Sequence, residues 1–218
     1  IFLYAMYKLQ SRPITLERLQ YLYAHMDIRI QLLFLLGIVG ISVIVAALNS
    51  LSSNAISREG KHFSFMKYIP VSYEIQWNIK ALVGIIFPAL GVLIYFIPFC
   101  IIVKVPLIHL ILYIILCIMS ITFVSFMGIY IDSIQPKLIW DDELSALREN
   151  YNTFFSMAIS IAFTVVVCVG GFFLFCRTKI AIVSTAMILI ILLALANIIV
   201  LALTYKSSVQ NIQEQEEA

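Results

Sequence analysis

Charge is what this sequence has least of. Of 218 residues only 12% are Asp, Glu, Lys or Arg, while 62% are hydrophobic and the mean hydropathy is +1.03. A soluble domain carries roughly 25% charged residues, so an aqueous globule is excluded. The shortage is also concentrated. Residues 30–57, 81–103, 105–131, 150–176 and 180–205 contain no charged side chain at all. Each run exceeds the ~20 residues that cross ~30 Å of hydrocarbon at ~1.5 Å per residue. They are too long for the ~10-residue alternating strands of an outer-membrane barrel. In lipid a backbone N–H must find its partner within its own segment, which leaves helix.

Several kinds of chemistry are missing with the charge. His109, three residues after Pro106, is the only ionisable candidate near membrane depth, and no span holds a pair of carboxylates or a basic residue. Proton- or ion-driven carriers place such groups mid-membrane, so that class is disfavoured. Intramembrane hydrolysis needs a nucleophile with its base, or HExxH on a span, and neither occurs. There is no GxxxxGK[ST], so ATP cannot be held in a P-loop of this chain. The acidic triplet at 141–143 reads as a solvated helix N-terminus, where negative charge is favoured, and no metal site is expected. Cys100, Cys117, Cys168 and Cys176 lie in or at the ends of spans without CxxC spacing, and read as small buried hydrophobes. Ser42, Ser120, Thr122, Ser125, Thr164, Ser184 and Asn197 are expected to bond to neighbouring helices. With a net charge of +2 and nearly balanced signs, nothing calls for a nucleic-acid partner.

What is present is an order of spans, at about 32–53, 81–103, 106–130, 153–176 and 180–204. "IFLYAMY" at the start reads as the last two turns of a further span. Residues 8–31 predict an amphipathic interfacial helix that begins near Pro13 and turns into the membrane. Gly37, Gly40, Ala46 and Ala47 favour close packing of the first span. Pro88 and Pro98 predict a kink or break in the second. Only Arg177, Thr178 and Lys179 join the last two spans, which predicts a tight antiparallel hairpin. The tail 205–218 is polar, acidic and expected to fray. The connections 54–80 and 131–152 fall on one side. The Lys and Arg residues divide seven against seven between the two sides. With the part before the first full span set aside, the balance places 54–80 inside.

The informative segment is "SREGKHFSFMKYIPVS", residues 57–72. Ser57 can cap a short helix and Glu59 suits its first turn. Phe63, Met66 and Ile69 or Pro70 would share one face, with Lys61, Ser64 and Lys67 on others. Pro70 stops this helix, Ser72 caps the next, and Trp77 anchors that one at the headgroups. A helix lying on lipid and a docking element for a partner use the same residues.

"AISREGKHFSFMKYIPVS" resembles the first cytoplasmic loop of bacterial type-2 ATP-binding-cassette (ABC) exporter permeases. "GIYIDSIQPKLIWDDELSALRENYN" is similar to the second such loop in long permeases of that family, at its Asp, Pro-Lys, Trp-Asp and Asn positions. The likeness covers residues 45–155; elsewhere it rests on the number of spans. It implies an all-α, polytopic permease domain over residues 1–218 of the bacterial plasma membrane, with both ends cytoplasmic. That domain would hold five complete spans, the end of an earlier one, a coupling loop at 54–80 and a second cytoplasmic loop at 131–152. Arg58, Glu59, Gly60, Lys61, Phe65, Lys67 and Pro70 would lie in or beside a coupling helix seated in a separate ABC ATPase subunit. Lys137, Trp140, Asp141 and Glu143 belong to the second loop.

The implied chain does no covalent chemistry. ATP and magnesium would sit in the partner, a second permease unit and membrane lipid would surround it, and the exported substrate would be hydrophobic or amphiphilic. Two departures stand out. The three-residue link before the last span leaves no room for the re-entrant helices of many such exporters, and only one unit is present where long permeases carry two. A non-transporting membrane sensor or assembly module is the alternative. A membrane-embedded enzyme predicts paired polar residues at one depth, and none is found.

Overall fold

The computed structural model describes residues 25–139, 150–178 and 181–217, the side chains of Lys61, Ser64, Lys67 and residues 208–217 excepted. "IFLYAMY" and most of the expected interfacial helix at 8–31 lie outside the described residues. Among those described there is no strand. The helices are α1 (Ile28–Leu48), α2 (Tyr73–Val103), α3 (Leu107–Ile134), α4 (Tyr151–Thr178) and α5 (Ile182–Glu217), with a 3-10 segment at Ser57–Tyr68. All five α-helices are long and apolar enough to cross a membrane.

The helices match the charge-free runs in number and order but not in their ends. α1 starts at Asp27, whose side chain accepts the N–H of Arg29 at 3.1 Å. It stops at Leu48, short of the expected 53. Asn49 turns extended and its side-chain oxygen accepts the N–H of Leu51 at 3.4 Å, offering the backbone a partner outside the helix. α2 begins eight residues before its charge-free run, because the polar turn 73–80 stays helical. It continues unbroken through Pro88 and Pro98 to Val103, so of the expected kink or break the break does not occur. Lys104, in the left-handed region at φ 57°, ends it ahead of Pro106. The tail expected to fray is helical as far as Glu217. Its Gln and Glu residues are good helix formers, so polarity alone does not unwind it.

α1 and α3 form the centre. About half of α1's apolar window and 44% of α3's are buried inside the bundle, against 22–28% for the other three. α3 packs on all four of its neighbours. α5 lies chiefly along α3 and touches α4 far less, so the short 178–182 link does not produce the expected close hairpin. Outward faces are apolar, with Ile41, Phe87, Val166 and Ile198 each at least 60% exposed. This suits hydrocarbon as the surrounding medium. The polar residues of the spans do something other than expected. Ser42, Ser120, Thr122 and Thr164 each donate to the carbonyl four residues earlier in their own helix, at 2.7–2.8 Å. The Asn197 amide also crosses between helices, to the Met119 carbonyl on α3 at 3.1 Å, and the Thr204 hydroxyl reaches the Phe126 carbonyl of α3 at 3.5 Å. Of the cysteines, Cys100 and Cys117 are buried as expected, whereas Cys176 is exposed.

Candidate functional site

Between α1 and the 3-10 segment the chain makes consecutive turns, and residues 52–57 are all buried. Irregular backbone at such depth survives only if its N–H groups are satisfied. The slot it enters is opened by Gly128 of α3, where a Cβ would stand 3.0 Å from the backbone nitrogen of Ser53. No larger residue fits there without moving main chain.

Asp132, fully buried in the last turn of α3, holds this stretch. Its Oδ2 accepts the backbone N–H groups of Ile56 at 2.7 Å and Ser57 at 2.9 Å. Its Oδ1 accepts the Ser57 hydroxyl at 2.5 Å, the Asn152 amide at 3.0 Å and the Asn150 amide at 3.4 Å. A carboxylate at a helix C-terminus opposes the macrodipole of its own helix. Here it faces the start of another helical segment, where two N–H groups favour negative charge. Asp132 therefore caps Ser57–Tyr68 from across the fold. The Ser57 side chain, expected to make that cap, instead donates to Asp132 and accepts the Lys137 N–H at 3.0 Å. Asn152 also donates to the Gln135 carbonyl at 2.8 Å, and Thr153 donates to the Asn54 side chain at 3.0 Å. The ends of α3 and α4 and the 52–57 turns thus form one hydrogen-bonded block.

The 3-10 segment consists of two pieces joined at Gly60, whose φ of 51° and ψ of −129° suit only glycine. With three residues per turn its side chains line up in strict rows. Phe63 and Met66 point inward, each 6% exposed, onto a cluster with Trp77, Ala81 and Ile129. Trp77 is only 1% exposed and packs beneath the segment, so it is not a headgroup anchor. His62, Phe65 and Tyr68 form an outward row, with successive ring centroids 5.7 and 6.3 Å apart. Ile69, expected on the inward face, is exposed beyond the end of the segment.

The charged residues split. Arg58 turns back along the chain, donating to the Leu51 carbonyl at 3.2 Å and the Asn54 carbonyl at 3.4 Å. Glu59 is drawn to Lys80 of α2, whose ammonium also donates to the Ala55 carbonyl at 2.9 Å and lies 5.9 Å from the Trp77 ring. Gln76 donates to the carbonyls of Met66 and Val71 and ties the far end of the segment to α2. Ser72 stands at the N-cap position of α2, as expected, but makes no side-chain capping bond. Gly60 is buried, and Phe65 and Pro70 are exposed. The side chains of Lys61 and Lys67, and all of Trp140, Asp141 and Glu143, lie outside the described residues.

Asp132, Asn150 and Asn152 were missed as a site. The signal was there: a lone acid directly after an apolar run of span length, and an Asn-x-Asn opening the next span.

Fold and site together define a multi-pass helical membrane protein with a buried carboxylate mounting an amphipathic segment at one end of its bundle. No protein-family model, no curated protein and no solved structure matches the chain.

Proposed function

We propose that this chain is the membrane-spanning permease subunit of an ATP-driven exporter of the ABC type, with Ser57–Tyr68 as its coupling element. One observation carries the reading: the segment is bonded to Asp132 of α3, which in turn accepts Asn152 of α4, so force on the segment reaches two spans through one carboxylate. A segment merely resting on lipid needs no such mount. The row His62, Phe65 and Tyr68 supplies the contact with a cytoplasmic ATPase subunit, which holds the ATP and magnesium. A second permease unit completes the pathway, and the substrate is hydrophobic or amphiphilic. Glu59 contributes to the shape of the segment through Lys80 more than to the contact.

A non-transporting sensor or assembly module in the bacterial plasma membrane is the second reading. It is favoured by the position of His62 and Phe65, which border α2 at Ile79 and Lys80 as well as facing outward. Affinity purification of the full chain in mild detergent, with identification of what co-purifies, separates the two. A P-loop ATPase lost on Phe65→Ala/Tyr68→Ala supports the exporter. Recovery without any ATPase, from cells in which the chain is functional, rejects it.

A further inference from the structure

A cavity of about 520 Å³ opens between the 3-10 segment and the first turns of α2. Its polar wall includes the Glu59–Lys80 pair, His62 and Gln76, and its apolar wall includes Phe65, Ile69 and Ile79. We propose that it binds the headgroup of a phosphatidylethanolamine-type lipid, an assignment independent of any ATPase partner.

Depth is the first argument. α2 is charge-free from Ala81 to Val103 and flanked by Lys80 and Lys104. At ~1.5 Å per residue these two lysines are about 36 Å apart along the helix, close to the ~30 Å hydrocarbon thickness plus a short reach into each interface. Lys80 and the cavity beside it are therefore level with the headgroups, while Ile79 and Ile75, both about half exposed, face outward nearby.

Charge is the second. Among the described residues the cavity wall carries one cation and one anion, neither of them sealed off, with side chains 17% and 38% exposed for Lys80 and Glu59. An ammonium has three N–H groups; two serve Glu59 and the Ala55 carbonyl, and the third is left for a ligand. Glu59 uses Oε1 on Lys80, and its Oε2 has no hydrogen-bond partner among the described residues. A neutral pair of this kind repels neither end of a zwitterion laid antiparallel to it. Phosphate takes the free Lys80 N–H, and the ligand ammonium donates to Glu59 Oε2. Charge-assisted N–H···O bonds are the strong ones, so a primary ammonium is favoured over trimethylammonium, which has no N–H. The apolar wall accepts the glycerol and first acyl carbons, which a soluble phosphoethanolamine lacks.

The test is native mass spectrometry of the purified full chain in mild detergent. Phosphatidylethanolamine, phosphatidylcholine or phosphatidylglycerol is added at equal concentration. Phosphatidylethanolamine should be retained about tenfold over phosphatidylcholine, the scale of one charge-assisted hydrogen bond. Glu59→Gln should abolish that preference while leaving phosphatidylcholine retention unchanged. Lys80→Met should reduce all three lipids, and Lys80→Arg, which keeps the cation and the fold, should restore them. Equal retention of the three lipids by the native chain, or a preference that survives Glu59→Gln, overturns the proposal. Competition by soluble glycerophosphoethanolamine as effective as that of the lipid also overturns it, because the occupant would then be a soluble zwitterion.

Discussion

Ser57 and Asp132 lie 75 positions apart in the chain, yet the serine hydroxyl donates to the aspartate at 2.5 Å and the serine N–H donates to its other oxygen at 2.9 Å. The pair explains how an irregular, buried stretch is tolerated between two spans. Among the described residues Asp132 makes no ion pair; five N–H and O–H donors stabilise it instead. Replacing the carboxylate leaves those donors buried without an acceptor, at about 1–3 kcal/mol for each that finds no other partner.

Asp132→Ala should therefore lower stability by at least about 3 kcal/mol, since several donors are orphaned together. Asp132→Asn should also destabilise, because its amide NH₂ faces other donors. Thermal unfolding in detergent gives the size of the loss. Limited trypsin digestion gives its place, since faster cleavage after Arg58 is expected once the 52–57 turns loosen. Unchanged melting and an unchanged cleavage pattern in both variants would refute the capping role.

Gly60→Ala tests the joint inside the segment. At φ 51° and ψ −129° any Cβ is strained, so a cost of about 1–3 kcal/mol is expected even though the alanine adds one methyl group. Gly37→Ala is the control, because a Cβ there meets nothing within 4 Å. If both glycines tolerate alanine equally in a thermal melt, the segment does not need this backbone.

Spans were legible in the sequence and their ends were not, for a physical reason. Hydropathy reports which residues avoid water, whereas helix ends answer to local hydrogen bonding and propensity. Asn49 stops α1 early, Tyr73–Lys80 extends α2 into a polar turn, and α5 runs on through Gln and Glu. The pairing of Phe63 with Met66 was visible because a spacing of three needs no distant partner. The Ser57 cap was misread because its hydrogen-bonding partner belongs to α3. Trp77 was misread because composition does not tell which side of α2 the segment covers. No single-sequence pattern joins Asp132 to Ile56; only the packing of α3 against the turns does.

The Glu59–Lys80 pair should contribute little by itself. Both side chains reach solvent, and partly exposed pairs are worth roughly 0–1 kcal/mol. A double-mutant cycle with Glu59→Gln and Lys80→Met should give a coupling energy within that range. Lys80→Met alone should cost more than Glu59→Gln alone, since it also strips the buried Ala55 carbonyl of its donor. Equal single-mutant costs, or a coupling well above that range, would mean that the pair is a main support of the segment.

The inward and outward rows of the 3-10 segment should separate stability from interaction. Phe63→Ala empties a position that is 6% exposed and packed with Trp77 and Ala81, so a loss of about 3–5 kcal/mol is expected. Phe65→Ala and Tyr68→Ala remove rings that are 60% and 81% exposed, and each should stay within about 0.5 kcal/mol of the native chain. Under the exporter reading those outward variants lose the ATPase during purification while melting normally. Independently of that, Phe65→Ala, which removes part of the cavity's apolar wall, should weaken retention of phosphatidylethanolamine, whereas Tyr68→Ala, outside the cavity, should leave it unchanged. Thermal melting, co-purification and lipid retention, measured on the same three variants, assign each ring to the fold, to a protein partner or to the bilayer. A Phe65→Ala protein that melts early would break the argument at its base, because the row would then belong to the core.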